Sequence, residues 1–313
     1  MNQYEWPIHG YETSTMMYGC MNIGGTWDDT PVSDEVRRAA FAALDAAREA
    51  GYTAFDHADI YCAGKSERVF GEWLAQNPGV EEEILIQSKC GIRIENPTMF
   101  DFSYEHILES VDRILERLTV DHLDVLLLHR PDPLVEPEEV AAAFDDLHRQ
   151  GLVRSFGVSN HSAMQMELLS QYTDHPLVAN QMEVSLAHPD LLLAGTAVNQ
   201  REPQYAMRPA DTVEYCRMEG VTLQAWSPLA RGVYSGREKN STASLVAEIA
   251  AQYGVSPEAI VLAWVMRHPA PILPVVGSTN PARIAAAAQA DTIELDRRDW
   301  YRLAERARGM GMP

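Results

Sequence analysis

Basic side chains are scarce in this sequence. Lysine and arginine number 25 against 45 aspartates and glutamates, a formal charge of −20 at pH 7. A chain this acidic repels nucleic acid and anionic membranes, so neither is expected as a partner. An anionic cofactor is not excluded, because a few arginines or backbone N–H groups suffice to hold one. Cysteine is scarce too. Cys20, Cys62, Cys90 and Cys216 form no CxxC pair and match no zinc spacing. That usage fits a reducing compartment, and a cytoplasmic location is expected. No apolar run approaches the ~18 residues of a spanning helix, and no basic-then-apolar leader opens the sequence. Neither a membrane span nor secretion by a standard signal is expected. The glycine fingerprint GxGxxG is missing after the first apolar run, where only Gly19, Gly24 and Gly25 occur. That counts against an open dinucleotide-binding sheet.

What is present is an alternation. Short apolar runs predict strands at Thr15–Tyr18, Thr53–Asp56, Ile84–Lys89, Leu123–His129, Val153–Val158, Leu177–Val184, Val221–Trp226 and Ile272–Val276. Ala-, Leu- and Glu-rich stretches between them predict helices at Ser33–Ala50, Lys65–Ala75, Tyr104–Leu118, Pro137–Gln150, Ala163–Gln171 and Ala210–Glu219. Further helices are predicted at Ala243–Tyr253, Pro257–Arg267, Pro281–Gln289 and Asp296–Arg306. The strands are apolar throughout, as parallel strands buried on both faces require. Strand–helix units repeated this way over 313 residues predict one domain, a closed (β/α)₈ barrel with extra helices. Connections lengthen at Met21–Val32, Gly91–Ser103 and Ala187–Pro209, the last an irregular insertion after the sixth strand. Long loops at strand ends form the mouth of a barrel site.

Polar groups gather at those ends. The second strand ends in FDHADIY, placing Asp56 and, five residues on, Tyr61. The third places Lys89 and the fourth His129. The fifth places Ser159 and Asn160, and the sixth carries Gln181. The seventh ends AWSPLARG and the eighth VVGSTNPAR. Taken singly, Asp56 with Lys89 reads as a structural ion pair, His129 as a core histidine and Tyr61 as a rim aromatic. Taken in order, they read as one site.

Over nearly its whole length the chain resembles the aldo-keto reductase family, whose Asp, Tyr, Lys and His map to Asp56, Tyr61, Lys89 and His129. FDHADIY, with His where many members carry Thr, looks like a bacterial oxidoreductase subgroup. The resemblance implies reduction of an aldehyde or ketone by NADPH, with NADH less favoured. It makes Tyr61 the general acid, its phenol pKa lowered by the Lys89 ammonium, which Asp56 holds in place. His129 would orient the carbonyl oxygen. For the cofactor it implies Gly19, Cys20 and Met21 beside Asp56, Trp226 stacked on the nicotinamide, and Ser159, Asn160 and Gln181 on its carboxamide. Ser227, Pro228, Leu229, Arg231 and Gly232 would cover the pyrophosphate. Gly277, Ser278, Thr279 and Arg283 would hold the adenosine 2′-phosphate.

The family's adenine contacts are replaced by Ala286 and Ala287, and a frequent Lys by Gly277. With Tyr61 and His129, Trp27 and the stretch Ala187–Pro209 are the candidate substrate wall. No metal is called for, since the strand ends lack a His/carboxylate cluster, which also sets aside a metal-dependent hydrolase. A regulatory subunit that binds NADPH with little turnover is the alternative. The chain is expected to be a monomer or small homo-oligomer. His57 is expected to face away from Asp56 and pack at the rim, and Asp59 to serve a turn. Cys62 and Cys90, next to Tyr61 and Lys89, read either as packing or as reactive thiols.

Overall fold

The computed structural model describes residues 1–197 and 211–313. The part of the expected insertion beyond Ala197, and the start of the helix expected from Ala210, lie outside the described residues. Elements are numbered along the chain. β1 (Gln3–Glu5) and β2 (Glu12–Ser14) pair as an antiparallel hairpin. β3 (Met17–Gly19), α1 (Asp34–Glu49), β4 (Ala54–Asp56), α2 (Lys65–Gln76) and β5 (Leu85–Cys90) follow. A second small hairpin, β6 (Ile92–Arg93) with β7 (Met99–Phe100), interrupts the next connection. Then come α3 (Tyr104–Leu118), β8 (Leu123–Leu128), α4 (Pro137–Arg149), β9 (Val153–Ser159), α5 (Ala163–Ser170) and β10 (Leu177–Glu183). After the short α6 (Asp190–Leu193) come α7 (Thr212–Glu219), β11 (Thr222–Trp226), α8 (Ser241–Tyr253) and α9 (Pro257–Met266). β12 (Ile272–Val276), α10 (Pro281–Ala288) and α11 (Arg297–Arg308) end the chain.

Eight parallel strands close in the order β10-β11-β12-β3-β4-β5-β8-β9. Side chains alternate across such a sheet, so each strand feeds two cores. On β4, β5 and β8, Ala54, Leu85, Val125 and Leu127 point into the barrel. Phe55, Ile86, Leu126 and Leu128 point out, under the helices. The expected alternation is thus the fold, and the hairpins β1–β2 and β6–β7 are what sequence reasoning did not see; the first bears on the barrel. The β1–β2 hairpin closes the N-terminal end of the barrel. Trp6 is fully buried, its indole N–H donating to Thr13 Oγ1 at 2.9 Å, and it belongs to the same interior cluster as Met17 and Leu85. Tyr11 anchors the hairpin through its hydroxyl, which meets Ser155 Oγ at 2.7 Å.

With one end plugged, the only ends left for chemistry are the C-terminal ones. No single helix among the described residues is long and apolar enough to cross a membrane. α8 and α9 reach that apolar length only as a pair bent by 92°. α9 is apolar because Ile260 to Val265 are buried in the outer core.

Candidate active site

Strand pairing sets the site. Gly19 pairs with Asp56, Asp56 with Gln87, and Lys89 with Leu127. Period-two alternation then puts Asp56, Gln87 and Lys89 on one interior face, above the apolar plug. Lys89 is fully buried and Asp56 nearly so. The Lys89 ammonium donates to Asp56 Oδ1 and Oδ2 at 2.7 and 2.8 Å, to the His57 carbonyl at 2.7 Å and to Tyr61 Oη at 3.1 Å. An ammonium has three protons, so the paired carboxylate oxygens, the carbonyl and the phenol use them all. Burial works against this charge, but Asp56 and Tyr61 outweigh it and hold the Lys89 pKa above its ordinary value.

The same contact corrects the expectation for Tyr61. Its phenol pKa is raised, because burial outweighs the lowering influence of Lys89. The hydroxyl therefore carries its proton throughout the neutral range. His129 stands edge-on to Tyr61, ring centroids 6.0 Å apart. Burial, with Lys89 and Arg130 adding to it, pushes the His129 pKa well below its ordinary value, so the ring is neutral. Its Nδ1 is enclosed without a partner. A proton there would be stranded, which favours the tautomer with the N–H on Nε2.

Two residues missed at the sequence level complete this layer. Gln87 donates from Nε2 to Asp56 Oδ1 at 2.6 Å and to Gln224 Oε1 at 2.8 Å. Gln181 donates from Nε2 to the same two atoms at 2.9 and 2.8 Å, and Gln224 Nε2 donates to Gln87 Oε1 at 2.8 Å. A carboxylate only accepts, so Asp56 fixes the amide orientation of Gln87 and Gln181, and they fix Gln224. Gln181 Oε1 has no partner among the described residues. The missed signal was spacing: Gln87 and Gln224 each lie two residues before a recognised site residue, Lys89 and Trp226, on the same strand face.

The expected cofactor residues fall along one side of the mouth. Asn160 has a left-handed backbone, φ 62°, which aims its side chain back across the barrel end. It accepts from the Trp226 indole N–H at 2.9 Å and donates to Ser159 Oγ at 2.8 Å and the His129 carbonyl at 3.2 Å. Ser159 in turn donates to the Gln181 carbonyl at 2.8 Å. The Arg130 guanidinium lies over the Trp226 ring, 5.4 Å from its centroid. Gly19 and Gly277 adjoin at the ends of β3 and β12: a Cβ on Gly19 would come within 2.9 Å of Val275 Cγ1 and 3.6 Å of the Gly277 Cα. Cys20 is buried in the core, whereas Met21 is exposed.

Ser227, Ala230, Arg231 and Gly232 all take positive φ, so the chain after β11 turns back tightly with Pro228 and Leu229 inside the turn. Ser278 and Thr279 precede α10, whose N-cap Asn280 accepts from the Ala282 and Arg283 N–H groups. Ala287 is buried in the outer core, and the Ala286 carbonyl accepts from Ser256 Oγ. Ala287 packs inward, so its side chain is unavailable to an adenine.

The remaining ionisable neighbours do not join. His57 does face away from Asp56, but into the helix layer rather than at the rim. It is fully buried on Phe70, ring centroids 4.5 Å apart, with neither ring nitrogen partnered. Burial, then Lys89, lowers its pKa to about 3. Asp59 Oδ1 is enclosed without a partner, and burial with Glu67 nearby pushes its carboxyl up to about 7. Cys62 and Cys90 are buried and burial raises both thiol pKa values, which favours packing over reactive thiols. Among the described residues no cluster of His, Cys, Asp or Glu could hold a metal.

The sequence and the fold have counterparts in known proteins. The sequence profile of the aldo/keto reductase family matches residues 15–307. The chain is 38% identical over 277 residues to the uncharacterized oxidoreductase YcsN of Bacillus subtilis, covering 84% of this chain and 86% of that one. It is 33% identical over 302 residues to a 6-dehydroglucose reductase of Agrobacterium fabrum, covering 93% of each. The crystal structure of an aldo-keto reductase from Klebsiella pneumoniae in complex with NADPH superposes with a TM-score of 0.77 at 21% identity, covering 100% of this chain and 98% of that one. The barrel fold is thus shared in shape and the sequence matches along nearly its whole length, and the chain belongs to the aldo/keto reductase family.

Proposed function

We propose that this protein reduces an aldehyde or ketone to an alcohol, with Tyr61 as proton donor and NADPH as cofactor. The observation that carries the reading is the Lys89 ammonium, buried and saturated, held 3.1 Å from the Tyr61 hydroxyl. Tyr61 holds its proton at neutral pH and gives it to the carbonyl oxygen as that oxygen gains charge. Lys89 then stabilises the phenolate left behind, and Asp56 with Gln87 and Gln181 keeps Lys89 in place. His129 donates its Nε2–H to the same carbonyl oxygen and fixes its direction. NADPH, when bound, supplies the hydride, which no side chain can donate.

The residues present fit that cofactor. Arg231 and Arg283 have no carboxylate partner among the described residues, in a chain with 45 acidic groups. Uncompensated cations in the turn after β11 and in the first turn of α10, which follows β12, suit a phosphate-bearing ligand. Gln181 Oε1 is available to accept from the carboxamide. Trp226, steadied by Asn160, offers its ring. Ser227 and Thr279 add hydroxyls, and Pro228, Leu229 and Gly232 shape the cover. A pure regulatory subunit has no need of an enclosed proton donor with its cation in place, so turnover is the better reading. The chain acts as one domain over residues 1–313, as a monomer or small homo-oligomer, in the cytoplasm, where its four free thiols persist.

The test is direct. The protein is mixed with NADPH and a panel comprising an aromatic aldehyde, a short aliphatic aldehyde and an oxidised sugar, and the reduced-cofactor absorbance is followed. Consumption with at least one carbonyl is expected. Tight NADPH binding with no consumption on any of them would transfer the assignment to the regulatory subunit.

A further inference from the structure

We propose that Lys65 is a positioning residue that fixes the aromatic wall of the site, locking Trp27 against Tyr61 before substrate arrives. This rests on the reductase reading for its kinetic consequences, but the lock itself is a matter of geometry. Trp27 is 51% exposed and stands edge-on to the Tyr61 ring, centroids 6.3 Å apart. So exposed an indole is not held by its own burial, and its place depends on its loop.

That loop closes around one ammonium. Lys65, the first residue of α2, is 8% exposed. Its Nζ donates to Thr26 Oγ1 at 3.0 Å, to the Asp28 carbonyl at 2.7 Å and to the Thr30 carbonyl at 2.9 Å. All three protons are used, and the acceptors flank Trp27 on both sides. The Asp28 carboxylate, 3.6 Å from Nζ, completes the turn by accepting from Thr26 Oγ1 at 2.7 Å and the Thr30 N–H at 3.0 Å.

The base of the loop is fastened to the same short segment. Cys62 Sγ lies 3.2 and 3.3 Å from the Met21 and Gly25 carbonyls, which share its one thiol proton. Ser66 Oγ donates to the Met21 carbonyl at 3.1 Å and accepts from the Gly24 N–H at 3.2 Å. Gly24 lies flush on this segment: a Cβ there would come within 2.6 Å of the Ser66 nitrogen and 2.8 Å of Cys62 Cβ. Segment 62–66 begins one residue after Tyr61, in a turn whose Cys62, Ala63 and Gly64 all take positive φ. The proton donor and the exposed indole are therefore carried by one body, with Lys65 as its outer clasp. A wall fixed in this way favours flat, apolar carbonyls that lie against the indole over short ones that do not reach it.

The experiment compares Lys65→Met, Trp27→Ala and the double variant, with an aromatic and a short aliphatic aldehyde. In Lys65→Met, KM for the aromatic aldehyde rises about tenfold, in the range of lost apolar contact, while its kcat falls less than about twofold. KM for the aliphatic aldehyde moves less than about twofold. In the Trp27→Ala background Lys65→Met has no further effect on KM, as required if it acts through the indole. Thr26→Val, which removes one acceptor, gives a smaller shift in the same direction.

A second readout does not need turnover. Amide hydrogen exchange over residues 24–30 quickens about tenfold or more in Lys65→Met, while that of β5 is unchanged. Equal KM shifts for both aldehydes, a full Lys65→Met effect without Trp27, or unchanged exchange over residues 24–30 each overturn the proposal. If the wild-type protein reduces neither aldehyde, the exchange result alone decides whether Lys65 is the clasp, and the reductase reading falls only if no carbonyl of the full panel is consumed.

Discussion

Two buried polar clusters lie back to back across β4 and β5. The inner one comprises Asp56, Gln87, Lys89, Gln181 and Gln224; the outer one comprises His57, Asp59, Glu67, Ser88 and Arg117. Neighbouring residues feed the two, Asp56 and His57 at the end of β4 and Gln87 and Ser88 on β5, and alternation sends the first of each pair inward and the second outward. In the inner cluster every Lys89 proton is used, and Asp56 Oδ1 alone accepts from Lys89, Gln87 and Gln181. In the outer cluster Glu67 is well held, by Ser88 at 2.7 Å and Arg117 at 2.7 Å, but His57 has no partner and Asp59 has an enclosed unpaired oxygen. Burying titratable groups is therefore not what makes a site. Saturating them around one reactive atom is, because only then is the charge fixed before the reaction begins.

That contrast can be broken most severely at Lys89. Lys89→Met leaves Asp56 buried without its cation and is expected to cost about 3–5 kcal/mol in urea unfolding, with loss of turnover. A fully stable variant would mean that the inner cluster is not a coupled unit. Next is Gln224→Leu. It strands Gln87 Oε1 and removes an acceptor from Gln181, at about 1–3 kcal/mol. Turnover falls with it while the far-ultraviolet circular dichroism is kept.

The outer cluster is expected to answer only to pH. His57 is held neutral, with a pKa of about 3 against an ordinary value near 6.5. The stability this gives is fully present above about 6.5 and is lost as pH falls toward 3. His57→Leu should lose less of its melting temperature than the wild type between pH 7 and pH 4, with turnover at pH 7 unaltered. A steeper loss would show that His57 has a partner. Asp59 has the opposite sign. Its carboxyl sits at about 7, so stability present below its unfolded value near 3.9 is lost as pH rises through 7. Asp59→Asn is expected to raise the melting temperature more at pH 8 than at pH 5; equal shifts at both would place the raised group elsewhere.

The barrel was legible because its strands are buried on both faces and read as apolar runs such as VLLL at Val125–Leu128. The β1–β2 hairpin was not, since QYE and ETS are three-residue strands with polar side chains. Their meaning appears only when Trp6 meets the barrel end. In FDHADIY the chemical ends, Asp56 and Tyr61, were readable from their spacing to Lys89 and His129. The middle was half readable: His57 faces away from Asp56, but nothing local says that it lies under Phe70. The phenol pKa was misjudged because a sequence shows the cation that lowers it and not the burial that raises it. Gln87 and Gln224 were overlooked because an amide within an apolar run gains a role only when partners from three strands converge.

The central claim is that Tyr61 gives the proton while Lys89 holds the charge left behind. Tyr61→Phe keeps the ring and removes only the hydroxyl, so it tests that claim directly, with turnover and NADPH affinity measured on the same preparation. Turnover is expected to fall at least about a hundredfold, as for loss of a general acid, with NADPH affinity within about twofold of wild type. Undiminished turnover in Tyr61→Phe would contradict the account.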